Sequence, residues 1–301
     1  KKHRLESFRK AGEIHKKVIE FIKPKVKVGT KLLDICTQVE DKIHELEGEI
    51  GFPTNISIND VACHYTSPPE DDKEIKEGDM VKIDIGVAVD GFVADGAFTV
   101  SFNDDPKVEN LITAVETAVM KGLSEIKPGV KLNKIGHVTS KIIKGFGYRP
   151  IKDLSGHLVE QWQVHAGKDI PNFARPLKGS PEFEEGEVYA LECFASTGTG
   201  SIHRSNNCYI YNFNIASARV PIRRKTTRRV LGWMSNKRKT LPFSTRQLRE
   251  EFRSYKFALQ ELRRAEKVVE HFVLKEDNEN AYISQFEHTF LVTEDGIEQL
   301  T

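Results

Sequence analysis

The fold is decided by the stretch Glu74-Ile75-Lys76-Glu77-Gly78-Asp79-Met80-Val81-Lys82-Ile83-Asp84, which recurs 108 positions later as Glu182-Phe183-Glu184-Glu185-Gly186-Glu187-Val188-Tyr189-Ala190-Leu191-Glu192. Each copy is typical of a strand that ends on a carboxylate. Upstream, Gly29-Thr30-Lys31-Leu32-Leu33-Asp34-Ile35 is echoed at an offset of 100 by Gly129-Val130-Lys131-Leu132-Asn133-Lys134-Ile135. The two echoes predict duplicated halves whose matched strands meet at the centre of a pseudo-twofold fold. Facing carboxylates would repel there unless cations lie between them, so we expect a metal site.

The composition excludes several classes of protein. A chain of 301 residues, 39% of them hydrophobic, can bury a large core as one domain with an insert or as two modest domains. No apolar run approaches the roughly 20 residues of a membrane span, and no signal-type stretch follows the charged start, so we expect a soluble, cytoplasmic protein without a membrane partner. Since no Cys-x-x-Cys pair occurs, we expect free thiols at Cys36, Cys63, Cys193 and Cys208.

The net charge of +1 hides a strong asymmetry. The basic segment, residues 219–268, holds sixteen Lys or Arg against four Glu. Its balance of +12 leaves −11 for the rest of the chain. Two surfaces of opposite sign are therefore expected.

Hydrophobic periodicity divides the chain into helices and strands. Three- and four-residue spacing predicts two amphipathic helices in the first fifty residues, with Thr30 as the N-cap of the second. Strands are predicted at 56–62 and 80–102 and a helix at 108–126, and the second half repeats the order of helix and strand.

The late part of the chain follows a different pattern. Residues 220–273 are basic and helical in character, and a strand is expected at 283–292. We interpret residues 1–213 plus 281–301 as a catalytic domain and residues 214–280 as a basic helical insert.

A hairpin fixes the first pair of acids. Asp84 and Asp95 flank Asp90-Gly91, and Asp-Gly is a strong signal for a two-residue turn. In that register Asp84 faces Ala97 and Asp95 faces Gly86, so both carboxylates lie on one sheet face, roughly 7–8 Å apart at Cα. They can reach a common cation.

Three further residues complete a candidate metal site. Glu192 ends the matching strand, Glu287 lies in a strand too apolar to leave a glutamate unexplained, and His157 supplies an imidazole. Each acid alone is more often a surface or salt-bridged residue. Four carboxylates and one histidine together suit two divalent ions bridged by water or hydroxide.

The order of these motifs resembles that of type II methionine aminopeptidase, an enzyme with the α+β pita-bread fold and a helical insert. The resemblance runs from the first helix to the last strand. It includes Thr240-Leu241-Pro242-Phe243 of the insert, and it rests chiefly on Lys82-Ile83-Asp84, Asp90-Gly91-Phe92-Val93-Ala94-Asp95, Leu154-Ser155-Gly156-His157, Val164-His165-Ala166-Gly167, Leu191-Glu192 and Gln285-Phe286-Glu287-His288-Thr289.

The resemblance implies a role for each ligand. Asp84 would bind one ion, His157 and Glu192 the other, and Asp95 and Glu287 both. Oxygen-rich sites accept cobalt, manganese, iron or zinc according to supply, so the identity of the two divalent metals stays open.

The resemblance also implies residues that contact the substrate. His64 would lie near the substrate amine, and His165 would contact the scissile amide and stabilise the oxyanion, while Glu287 is a candidate proton shuttle. Phe52 resembles part of the methionine side-chain pocket. At the pocket wall, Ile210 and its two tyrosine neighbours look more like archaeal than animal members of the family.

Two positions depart from the family pattern. Gly96 stands where a small side chain such as Thr or Cys is expected, and Ala88 stands where His is frequent. Neither position is a ligand, so the departures bear on rate and metal preference.

The function implied is removal of the initiator methionine from new proteins whose second residue is small. One alternative is a proline-directed peptidase of the same fold, although those relatives usually carry a large N-terminal domain. The other is a catalytically silent relative associated with RNA or the ribosome. The basic segment would either dock the enzyme to ribosomal RNA or be an ordinary solvated helical face.

Overall fold

A computed structural model describes residues 2–217 and 221–301. Lys1 and the start of the basic segment, Arg219 and Val220, lie outside the described residues. None of the described helices is long and apolar enough to cross a membrane.

The first half begins with the two expected helices, and their apolar faces are buried. Its elements are α1 (Lys2–Ile22), α2 (Leu32–Glu45), β1 (Glu49–Ile58), β2 (Val61–Cys63), β3 (Met80–Val89) and β4 (Phe92–Ser101). The prediction of Thr30 as an N-cap was wrong, because Lys31 occupies that position and the Thr30 hydroxyl donates to the carbonyl of Lys25 instead.

The second half repeats the helices and the central strand. Its elements are α3 (Pro106–Ser124), α4 (Leu132–Gly145), β5 (Arg149–Pro150), β6 (Ser155–Leu158), β7 (Asp169–Pro171), β8 (Val188–Ser196) and β9 (Ile202–Phe213). Matching isolated bridges join Lys31 to Glu74 and Lys131 to Glu182. The turn glycines Gly78 and Gly186 share φ = 86°. The duplication predicted from the sequence is thus confirmed in the backbone.

The remaining elements are α5 (Lys225–Trp233), a π-helical turn (Met234–Arg238), β10 (Phe243–Ser244), α6 (Thr245–Glu251), α7 (Tyr255–Arg264), β11 (Val268–Glu276), β12 (Ile283–Val292) and β13 (Ile297–Gln299). The helical prediction for 220–273 was wrong at its end. Residues from Val268 onward form β11, because its β-branched and aromatic side chains pair with β9 along most of its length. The division into a catalytic domain and an insert at 214–280 stays a prediction.

Two sheets enclose the centre of the molecule. The larger has the order β1-β3-β4-β12-β8-β6-β7, and the smaller has the order β10-β9-β11-β2. Strand β12 lies between β4 and β8, so the pair β8–β12 mirrors the hairpin β3–β4 across the pseudo-twofold axis. Helices α1 to α4 pack on one face of the larger sheet and leave the other for a site.

The hairpin register is the one expected. Asp84 pairs with Ala97 and Asp95 with Gly86, around a turn in which Asp90 and Gly91 both have positive φ. The expectation that each repeat ends its strand on a carboxylate was wrong. Asp84 and Glu192 lie in the middle of β3 and β8, because pairing with β4 and β12 extends each strand beyond them.

Candidate metal centre

Five neighbouring strands of the larger sheet each contribute one candidate ligand. These are Asp84 on β3, Asp95 on β4, Glu287 on β12, Glu192 on β8 and His157 on β6. Side chains alternate along a strand, so the residues flanking each acid point toward the helices and the acid points away. Ile83 and Ile85, for example, lie in the core cluster beneath α1 and α2.

The spacing between ligand atoms suits a shared ion. His157 Nε2 lies 3.7 Å from Asp95 Oδ2 and 4.0 Å from Glu192 Oε1. These distances are too long for hydrogen bonds. They match two atoms bound to one cation, since ligand bonds of about 2.0–2.2 Å leave the ligand atoms about 3–4 Å apart. Ligand atoms of Asp95, His157 and Glu287 lie within 4.8 Å of one another.

The four carboxylates repel one another when no cation lies between them. Burial raises the pKa of Asp84 to about 6. Burial and then repulsion by the neighbouring acids raise the pKa of Asp95, Glu192 and Glu287 well above their ordinary values. For His157, burial first and nearby His165 second lower the pKa well below its ordinary value. Neutral imidazole is the form that binds metals.

Buried oxygens in the cluster are also left without hydrogen-bond partners. Among the described residues no donor reaches Asp84 Oδ1, Asp95 Oδ1 or Glu287 Oε1. An orphaned buried acceptor is costly, and a cation is the ligand that satisfies several at once. Gln285 donates to the remaining oxygens of Asp84 and Glu287, at 3.1 and 3.3 Å, and so fixes how both carboxylates are turned.

The ligands line a cavity of about 370 Å³ between the two sheets. Every residue predicted to contact substrate lines the same cavity: Phe52, His64, His165 and Ile210. The Phe52 ring lies directly over Gly86, where a Cβ would come within 2.3 Å of it. Glycine at this position therefore lets an aromatic ring form the apolar wall.

Two predicted histidines have defined environments. His64 has φ = 64°, in the left-handed region, and its Nδ1 lies 3.2 Å from the carbonyl oxygen of Phe272. Burial lowers the pKa of His64 to about 4. The ring centroids of His165 and His157 lie 3.9 Å apart with the planes tilted by 42°, and burial lowers the pKa of His165 as well. Both rings are therefore neutral near pH 7.

Sequence reasoning missed several cavity residues. His271 of β11 and Pro242 before β10 line the cavity from the smaller sheet, and Asn55 does so from β1. The β-branched and aromatic residues of Val268 to Glu276 are the signal that indicates a strand around His271, but the helical prediction for 220–273 covers most of that stretch. Gln285 lies two residues before Glu287 in the same motif, and no local signal in the sequence indicates that it orients the carboxylates.

The structure explains the unusual Gly96. The buried ring of His15 occupies the space where a side chain would extend, and a Cβ on Gly96 would lie 2.6 Å from His15 Cε1. His15 Nε2 is 3.2 Å from the Gly96 carbonyl oxygen. Ala88, the second departure, is fully buried in the cluster that includes Phe52.

Some arginines of the basic segment are buried and contact other parts of the protein. Arg246 is buried against Glu40, and Arg238 donates to the carbonyl oxygens of Gly51 and Pro242. Four arginines are exposed, two just before α5 and two within it: Arg223, Arg224, Arg228 and Arg229.

The chain is similar to known proteins over almost its whole length. The model of metallopeptidase family M24 matches residues 6–294. The methionine aminopeptidase of the archaeon Methanothermobacter thermautotrophicus is 37% identical over 300 residues, covering 99% of this chain and 98% of that protein.

Solved structures show the same fold at low identity. A thermophilic Arx1 superposes with a TM-score of 0.84 at 22% identity, covering 99% of this chain and 90% of that one. A methionine aminopeptidase of Thermotoga maritima superposes with a TM-score of 0.74 at 20% identity, covering 100% and 97%. The pita-bread architecture expected from the sequence is confirmed.

Proposed function

The chain belongs to metallopeptidase family M24, in which it is a methionine aminopeptidase, and we propose that it removes the initiator methionine from new polypeptides whose second residue is small. The observation that carries this proposal is the convergence of four carboxylates and one histidine on a single cavity, with three buried carboxylate oxygens lacking donors.

The donor set fits two divalent cations, for which cobalt, manganese, iron and zinc are the candidates. Asp84 would hold one ion, and His157 with Glu192 the other. Asp95 and Glu287 would contact both, which their central strands β4 and β12 support. When bound, the ions supply an activated water and a Lewis acid for the substrate.

The protein's own groups would complete the reaction. Glu287, which lies beside the reacting groups on β12, would be the candidate to pass a proton to the leaving amine. His165 would donate to the oxygen of the scissile carbonyl as negative charge develops there. His64 would present a neutral imidazole to the free amine of the substrate.

Substrate choice would follow from the shape of the cavity. Phe52 and Ile210 offer an apolar wall of the kind a methionine side chain would contact. The carbonyl that follows must approach the ions closely, so a bulky second side chain would clash with the walls.

The decisive experiment compares peptides on chelator-stripped protein reloaded with each metal. Met-Ala-Ser should be cleaved only after reloading, with two equivalents bound. Preference for Xaa-Pro peptides would support the proline-directed alternative. Failure of the reloaded protein to cleave either class would support the catalytically silent one.

The partners would be nascent N-termini, which emerge from ribosomes in the cytoplasm. Lysine and arginine that contact phosphate bind RNA in a salt-dependent and sequence-independent manner. We therefore assign ribosomal RNA docking to the four exposed arginines in and just before α5. Charge reversal at Arg223, Arg224, Arg228 and Arg229 should weaken co-sedimentation with ribosomes while Met-Ala-Ser cleavage persists.

A matched control reverses four exposed lysines on other helices, namely Lys10, Lys17, Lys141 and Lys144. Equal ribosome binding by the arginine variant and the wild type, at low and at moderate salt, would show that the basic segment is an ordinary solvated surface.

A further inference from the structure

The smaller sheet places a histidine beside His64. His271 on β11 is the cross-strand partner of Ile210 on β9, so both side chains lie on the sheet face that lines the cavity. The His271 ring meets the His64 ring edge to face, with centroids 5.6 Å apart and 75° between the planes. His271 therefore belongs to the wall against which His64 rests.

Asn212 fixes the ring of His271. His271 Nε2 lies 2.8 Å from Asn212 Oδ1, and an amide oxygen only accepts, so Nε2 is the donor. Burial first, and then the nearby His64 and His165, lower the pKa of His271 to about 4. The ring is neutral near pH 7 and held in one tautomer.

A bulge brings a second group to His64 at the same point of β11. The register of β11 against β9 shifts between His271 and Phe272, and such shifts redirect groups next to active sites. The Phe272 carbonyl 3.2 Å from His64 Nδ1 only accepts, so Nδ1 carries the hydrogen and Nε2 is left as an acceptor. His64 also has the strained φ of 64°, which persists only where surrounding contacts hold it.

We propose that His271 is a positioning residue whose ring, together with the Phe272 carbonyl, holds the His64 imidazole with its Nε2 directed at the substrate. This inference rests on the proposed aminopeptidase function for its kinetic consequence. The effect of His271 on the His64 ring does not depend on catalysis. The positioning role and the aminopeptidase function can therefore be refuted separately.

The test compares His271→Ala and His271→Phe in the metal-loaded full chain. His271→Ala should lower kcat on Met-Ala-Ser by about ten- to a hundredfold with both metals retained, because small misplacements of a reacting group have costs of that size. His271→Phe, which keeps a ring edge against His64, should recover most of the loss. Imidazole ¹⁵N shifts should show His64 as the Nδ1–H tautomer in the wild type and as a mixture in His271→Ala.

The control is Val269→Ala, at an exposed position of the same strand, and it should change neither kcat nor the His64 signal. The proposal is wrong if His271→Ala leaves the His64 tautomer unmixed. It is also wrong if His271→Phe is as slow as His271→Ala, since His271 would then act through its own nitrogen. If the wild type fails to cleave Met-Ala-Ser, the proposed aminopeptidase function is wrong. The ¹⁵N spectra would still test whether His271 positions His64.

Discussion

Gly96 and His15 form a size-matched pair whose coupling can be measured. Gly96→Ala would place a Cβ 2.6 Å from His15 Cε1 and 2.9 Å from its Nε2. Gly96 has no left-handed φ, so the steric clash alone decides the outcome. The ring of His15 is buried on α1 and has little room to move. Overpacking of this kind costs about 1–3 kcal/mol of unfolding free energy.

Removing the ring should relieve that cost. His15→Ala also loses the contact of Nε2 with the Gly96 carbonyl oxygen, so it should destabilise the protein by itself. In the double variant the added methyl group enters the vacated space, and the loss should fall short of the sum of the single losses by about 0.5–3 kcal/mol. Urea unfolding of the four proteins measures this coupling, with and without bound manganese.

A control separates the clash from a general effect of losing a glycine. Gly232→Ala on α5 meets no atom within 4 Å and should stabilise its helix by about 0.5–1 kcal/mol. Additive losses at Gly96 and His15, within about 0.5 kcal/mol, would refute the pairing. So would a Gly96→Ala variant as stable as the control.

Four further predictions concern the site itself. Asp95→Ala or Glu287→Ala should abolish turnover and remove much of the metal, and full metal content measured by mass spectrometry with unchanged activity would defeat the ligand assignment. His64→Ala should lower kcat by about 10²–10⁴ with both metals retained, whereas loss of the metals would make it a ligand. Gly86→Ala should displace the Phe52 ring and raise KM for methionine peptides, and an unchanged KM would remove that ring from the pocket. Met-Ala and Met-Gly peptides should be cleaved and Met-Leu and Met-Lys poorly, and comparable kcat/KM for the two groups would contradict a restrictive second subsite.

Local pattern in the sequence was enough for much of the fold. The echo at an offset of 108 predicted the duplicated halves, and the turn at Asp90-Gly91 fixed the register that places Asp84 and Asp95 on one face. The turn and the alternation act within a few residues, and the echo requires only that two short segments be compared. The same patterns were misleading where pairing partners decide the outcome, as in β11, whose strand is imposed by β9.

The sequence alone predicted the candidate site residues, from several acids in apolar strands taken together and from the order of their motifs along the chain. How these residues come together depends on which strands pair. Glu287 faces Glu192 because β12 enters between β4 and β8, and His271 reaches His64 because β11 pairs with β9 and β2. These contacts join segments far apart in the chain. They are set by which strands pair and how layers pack, and no local periodicity encodes that choice.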